Sequence, residues 1–89
     1  MTKLVFTWNY YAACWECILP EEKIYIHKYP PMYTLVSIHR NNYIRADHEI
    51  FDALPTAQHY IGLKYNAQVK YRDPNEEKYP RKDLLDIYI

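Results

Sequence analysis

Hydrophobic and polar positions alternate along much of this chain with a period of two, so strands dominate the expected structure. Lys3 to Trp8 places Leu4, Phe6 and Trp8 on one face. Lys23 to Tyr29 places Ile24 and Ile26 on one face and Tyr25, His27 and Tyr29 on the other. Pro30-Pro31 breaks that run, because neither residue can donate to a ladder. Tyr33 to Arg40 is the next strand, followed by Asn41-Asn42 as a two-residue turn and Tyr43-Ile44-Arg45 as the return. The longest alternation is Leu63 to Arg72. It puts Leu63, Tyr65, Ala67, Val69 and Tyr71 toward a core, and Lys64, Asn66, Gln68, Lys70 and Arg72 toward solvent.

Two segments carry helix signals instead. Asn9 is a suitable cap for a short helix over Tyr10 to Leu19, which Pro20 ends. Asp47 caps a second over His48 to Leu54, with acidic residues in its first turn. Pro55 interrupts it, and Thr56 to Tyr60 resumes. The order reads β-α-β-β-α-β, so the expected class is α+β. That is one small domain with a mainly antiparallel sheet and two short helices, in a ferredoxin-like arrangement. The compact core is expected over residues 1–72. Residues 73–89 form a C-terminal tail whose Leu84, Leu85, Ile87 and Ile89 suit docking as a strand or short helix.

Composition sharpens this in three ways. The length, 89 residues, accommodates one core. Aromatics make up 17% of the chain, and 11 of them are Tyr. That is more half-polar aromatic surface than a core this small absorbs, so tyrosines are expected at an interface. A single glycine, Gly62, excludes a glycine-rich phosphate loop. The net charge is 0 but segregated. Residues 23–46 carry +4 and residues 60–72 carry +3, while 9–22 and 47–59 each carry −3. No apolar run reaches the ~18–20 residues of a membrane span, no secretory leader pattern is seen, and two cysteines make no disulfide framework. No membrane association and a reducing, cytoplasmic setting are therefore expected.

The candidate chemistry is sparse. Cys14 and Cys17 bracket Trp15-Glu16, a spacing shared by redox dithiols and zinc sites. Glu16 disfavours a thiolate, and a zinc site needs further ligands from among His27, His39, His48 and His59. The favoured reading is two small buried side chains, three apart on one helix face, with no metal and no cofactor. His48 and Asp52 stand four apart without completing a metalloprotease signature. No nucleophile has a base beside it in sequence.

A non-enzymatic binding protein is therefore expected, acting by protein–protein interaction. Small inhibitors of host macromolecules encoded by phages and mobile elements offer a class analogy. The candidate contact residues are Tyr25, Tyr29, Tyr43, Lys64, Lys70 and Arg72. The alternative is a nucleic-acid-binding module with a basic, tyrosine-rich sheet face. On Leu63 to Arg72 itself, however, Tyr65 and Tyr71 point away from the cations. A zinc- or thiol-dependent protein through Cys14 and Cys17 is the third reading. Oligomeric state is not legible in the sequence.

Overall fold

A computed structural model of the chain describes residues 2–74. Its elements are β1 (Thr2–Asn9), β2 (Cys14–Ile18), β3 (Glu22–Tyr29), β4 (Tyr33–Arg40), β5 (Asp47–Phe51), α1 (Leu54–Tyr65) and β6 (Ala67–Arg72). The class is α+β, with one six-stranded sheet in the order β5-β4-β3-β2-β1-β6. β1 to β5 form an antiparallel meander, and β6 returns to pair parallel with β1 at the far edge. That return crosses five inter-strand steps of about 4.8 Å, roughly 24 Å in all. A helix the length of α1 supplies about 18 Å of this at about 1.5 Å per residue.

The ferredoxin-like order is not the one observed, and the described residues hold one helix. Each difference has a physical reason. The segment read as a first helix is the β1–β2 hairpin. The Asn9 side-chain oxygen accepts from the backbone N–H groups of Tyr11 and Ala12, at 2.9 and 3.0 Å. This is the local bonding a helix cap makes, here serving a turn. Ala13, at φ 53°, then turns the chain back. The segment from Asp47 is an edge strand, because pairing with β4 overrides its polar composition. Tyr43 to Arg45 lies in the β4–β5 connection, closed by a bond from the Tyr43 N–H to the Arg40 carbonyl at 3.2 Å. Pro55 starts α1 instead of interrupting it, since the first helical turn needs no proline N–H.

The largest correction falls on Leu63 to Arg72. Leu63, Lys64 and Tyr65 form the last turn of α1. Asn66 caps it in the left-handed region, φ 47°, with its N–H reaching the carbonyls of Gly62 and Leu63. Strand β6 begins only at Ala67. Leu63 is 71% exposed, whereas Val69 sits in the core as expected. Gly62 lies where α1 passes over the start of β6. A side-chain carbon there would stand 3.2 Å from the Ala67 carbonyl oxygen, which accounts for the glycine.

The core lies between α1 and one face of the sheet. Leu54, Ala57 and Ile61 of α1 pack on Leu4, Phe6, Trp15, Cys17, Ile24, Ile26, Val36, Ile38 and Val69. The rings of Trp8, Trp15 and Tyr71 meet edge to face, with centroids 5.0–5.1 Å apart. The Tyr71 hydroxyl donates to Gln58 on α1 at 2.9 Å, and the Tyr10 hydroxyl donates to the buried Asp73. Asp73 thus closes one end of the core. The expectation that Leu84 to Ile89 dock as a strand or helix lies outside the described residues.

Candidate functional site

One face of the sheet is covered by α1; among the described residues no element packs on the other. Strand alternation and cross-strand register decide what that open face presents. Lys70 pairs with Val5 at one side, and Ile18, Lys23 and His39 form a row at the other. The next runs Arg72, Thr7, Glu16, Tyr25, Ser37 and His48. A third includes Asn9, Cys14, His27, Leu35 and Ile50, and Tyr29 pairs with Tyr33 beyond it.

The rings on this face form a continuous stripe. From His48 it passes to His39 (centroids 6.5 Å apart), Tyr25 (5.3 Å), His27 (6.3 Å), Tyr29 (6.2 Å) and Tyr33 (5.0 Å). His27 and Tyr29 are nearly parallel, at 15°. Beside the stripe is a shallow depression of about 590 Å³, walled by Glu16, Lys23, Tyr25, His27 and His39 with Cys14 at its base. A larger groove of about 960 Å³ lies between α1 and β6, away from these groups.

Among the described residues the open face carries the cations Lys3, Lys23, Lys70 and Arg72 and one carboxylate, Glu16, which accepts a bond from the Asn9 side-chain amide at 3.2 Å. The acidic side chains of β3 and β5 fall on the opposite side. Glu22 and Asp47 bracket Arg40 there, at 3.6 and 2.5 Å. The face also carries apolar area, since Val5 is 45%, Ile18 57% and Ile50 66% exposed.

The candidate contact residues divide accordingly. Tyr25, Tyr29, Lys70 and Arg72 share the open face. Tyr43 is exposed in the β4–β5 connection. Lys64 belongs to α1, with its ammonium 5.9 Å from the Tyr60 ring centre, so it is not on this face. Sequence reasoning missed Tyr33, Lys23, Val5, Ile18 and the convergence of His27, His39 and His48. The alternation within each strand was visible, but only the register between strands brings these residues together.

Cys14 and Cys17 are both buried and free. Being three apart on a strand, they point to opposite sides of the sheet and cannot jointly hold a metal or form a dithiol site. Burial raises both thiol pKa values, and Glu16 raises that of Cys14 further. Among the described residues no three His, Cys, Asp or Glu side chains gather as a metal-ligand set. His59 sits on α1, apart from the other histidines. His48 Nδ1 lies 2.9 Å from Ser37 Oγ. Among the described residues no carboxylate orients that imidazole, and Ser37 is buried, so the pair ties β5 to β4. No helix among the described residues is long and apolar enough to cross a membrane.

No protein-family model, no curated protein and no solved structure matches this chain.

Proposed function

We propose that this is a non-enzymatic binding protein whose working surface is the open face of the sheet, and whose partner is a protein with an acidic surface. The observation that supports this is the coincidence on one uncovered face of a tyrosine–histidine stripe, exposed apolar side chains and a cationic excess. Tyr rings anchor interfaces because they bring large area at low entropic cost, and the cations steer an acidic partner into register. The exposed apolar side chains Val5 and Ile18, both on this face, favour a protein over a nucleic acid. Occupying the surface of a host macromolecule, as small inhibitors from phages and mobile elements do, is the mode of action such a domain suits. A reducing, cytoplasmic setting is part of this reading.

Nucleic acid is the second reading, and one geometric observation favours it. Tyr25, Tyr29 and Tyr33 lie on the same face as Lys23, Lys70 and Arg72, whereas Tyr71 of β6 packs against the core. Stacking rings beside a basic strip is how single strands are held without sequence preference. The test is quantitative capture from lysate, with and without nuclease, by wild type, by Lys23→Glu/Lys70→Glu/Arg72→Glu and by Lys64→Glu. A nuclease-resistant partner should be retained by Lys64→Glu and lost by the triple variant. Retention by the triple variant at physiological salt removes the open face as the site. Loss on nuclease treatment selects the second reading.

A further inference from the structure

We propose that protonation regulates this surface: His27, His39 and His48 act as its acid sensor, and the open face binds an acidic protein segment more tightly as pH falls below neutral. This inference rests on the function proposed above and adds its regulation.

Imidazole is the side chain whose ordinary titration lies between pH 5 and 8. Three of the four histidines converge on one face, linked through Tyr25 and by direct ring proximity. The groups around them are few. His39 faces Lys23 of β3 and His48 of β5, with Tyr25 against its ring. His27 stands opposite Leu35 of β4, between Tyr25 and Tyr29, and shares the depression with Cys14 of β2 and Arg40 of β4. His48 bonds Ser37 of β4 and faces His39. Farther across the sheet stand Glu16, Lys3, Lys70 and Arg72. Glu16 is the one carboxylate among them and is engaged by Asn9.

Among the described residues none of the three imidazoles has an ion-pair partner. A proton taken up there is therefore not neutralised by an ion pair among the described residues. Among the described residues Lys3, Lys23 and Lys70 less Glu16 leave two net positive charges beside the imidazoles, and three added protons more than double that number. The change is local to the contact surface, so a bound anion feels it within a Debye length of about 8 Å. The Ser37–His48 bond survives the event, because an imidazolium Nδ1–H donates to the hydroxyl oxygen. The burial of His27 and the neighbouring charge of His39 both lower its pKa, so its response extends the sensor to lower pH.

By linkage, each pKa that rises on binding by some amount strengthens binding by up to that many powers of ten. Slightly more than twofold from each of the three sites multiplies to about tenfold. The probe is a fluorescein-labelled polyaspartate peptide, whose carboxylates stay ionised over the range. Its affinity is measured by anisotropy at about pH 7.5 and about pH 5.5 at constant ionic strength. Wild type should bind about tenfold or more tightly at the lower pH, and the ratio should approach one in His27→Gln/His39→Gln/His48→Gln. His59→Gln should keep the full ratio. A wild-type ratio near one overturns the proposal, as does an undiminished ratio in the triple histidine variant.

Lys23→Glu/Lys70→Glu/Arg72→Glu separates the two layers of the argument. If it abolishes binding at both pH values while wild type shows no pH effect, the face is the site and the sensor is wrong. If it binds like wild type, the face itself is wrong. Imidazole proton resonances of the wild-type chain provide a measurement that needs no variant. Adding polyaspartate should raise the pKa values of His27, His39 and His48 and leave His59 unmoved; unchanged values at all three overturn the sensor. Binding of oligothymidylate without binding of polyaspartate overturns the protein-partner assignment.

Discussion

Substituting alanine for two adjacent residues of β3, Ile26 and Tyr25, tests fold and function together, because their side chains leave the sheet on opposite faces. Ile26 is fully buried, between Trp15 on β2 and Val36 on β4. Ile26→Ala removes three carbon groups, worth about 0.8 kcal/mol each, or roughly 2.4 kcal/mol of transfer free energy. Incomplete collapse of the cavity brings the expected loss to about 3–4 kcal/mol. A small domain has ~5–15 kcal/mol in total, so this is a large fraction. At about 4–8 °C per kcal/mol, a 3 kcal/mol loss lowers the melting temperature by roughly 12–24 °C. Tyr25→Ala removes a half-buried ring from the open face and should cost about 1 kcal/mol. It should instead weaken partner binding by about tenfold or more, as loss of a central aromatic anchor does. Urea titration followed by tryptophan fluorescence gives the stabilities, since Trp15 lies directly across from Ile26. If Tyr25→Ala destabilises as much as Ile26→Ala, the assignment of faces on β3 is wrong. If Tyr25→Ala keeps full affinity, the stripe is not the contact surface.

Val69→Asp should unfold the domain or nearly so, because it buries an unpaired charge, while Leu63→Asp should change stability by less than about 0.5 kcal/mol. Equal losses in the two would restore a continuous strand through both positions. Burial raises the pKa values of Tyr65 and Tyr71 and of both thiols, so the unfolded chain releases these protons at lower pH than the folded one. Their contribution to stability is thus full below the ordinary thiol value of 9.0 and falls as pH rises through and above it; a melting temperature that climbs with pH there contradicts this. His27 has the opposite sign: its lowered pKa means the unfolded chain takes the proton first, so stability falls as pH drops below the ordinary value of 6.5. His27→Gln should flatten that acid limb, and calorimetry across the range reads it directly. Native Cys14 and Cys17 should react with a thiol-specific reagent only at the rate of unfolding; rapid modification of the folded chain contradicts their burial.

The strands whose two faces differ in polarity were legible, and those whose faces do not were not. β1, β3, β4 and β6 alternate between a core-facing, mainly apolar set and a second, more polar set, Val5 and Leu35 being the apolar members of the second, and the sequence shows this plainly. β5 is Asp-His-Glu-Ile-Phe, an edge strand held by one neighbour, and nothing in its own composition asks for a strand. The first half of the apparent run from Leu63 alternates by coincidence. Leu54, Ala57, Ile61 and Tyr65 are spaced three and four apart, with Pro55 at the start and Asn66 at the end. That set of helix signals competes directly with the alternation, and Asn66 decides it by taking the left-handed cap position that glycine usually fills. Asn9 misled in the reverse direction, because an asparagine accepting from the N–H groups two and three residues on bonds alike in a turn and in a helix cap.

The same logic explains how much of the candidate site could be read in advance. Tyr25, His27 and Tyr29 share a face by alternation alone, so that part of the stripe needs no structure. Whether His39 lies beside Tyr25, and Lys70 on the same side as both, depends on register across strands distant in sequence. A slip of one residue between β3 and β4 would send His39 to the core side and Arg40 to the open face. The buried pair Ile26–Val36 prevents it, since the slip would expose one of them and bury Leu35 or His27 in its place. The core thus holds the open face in register, though it contributes no atom to that surface. This is why a substitution such as Ile26→Ala can weaken binding through position alone. Its loss of affinity should therefore track its loss of folded fraction, whereas that of Tyr25→Ala should not.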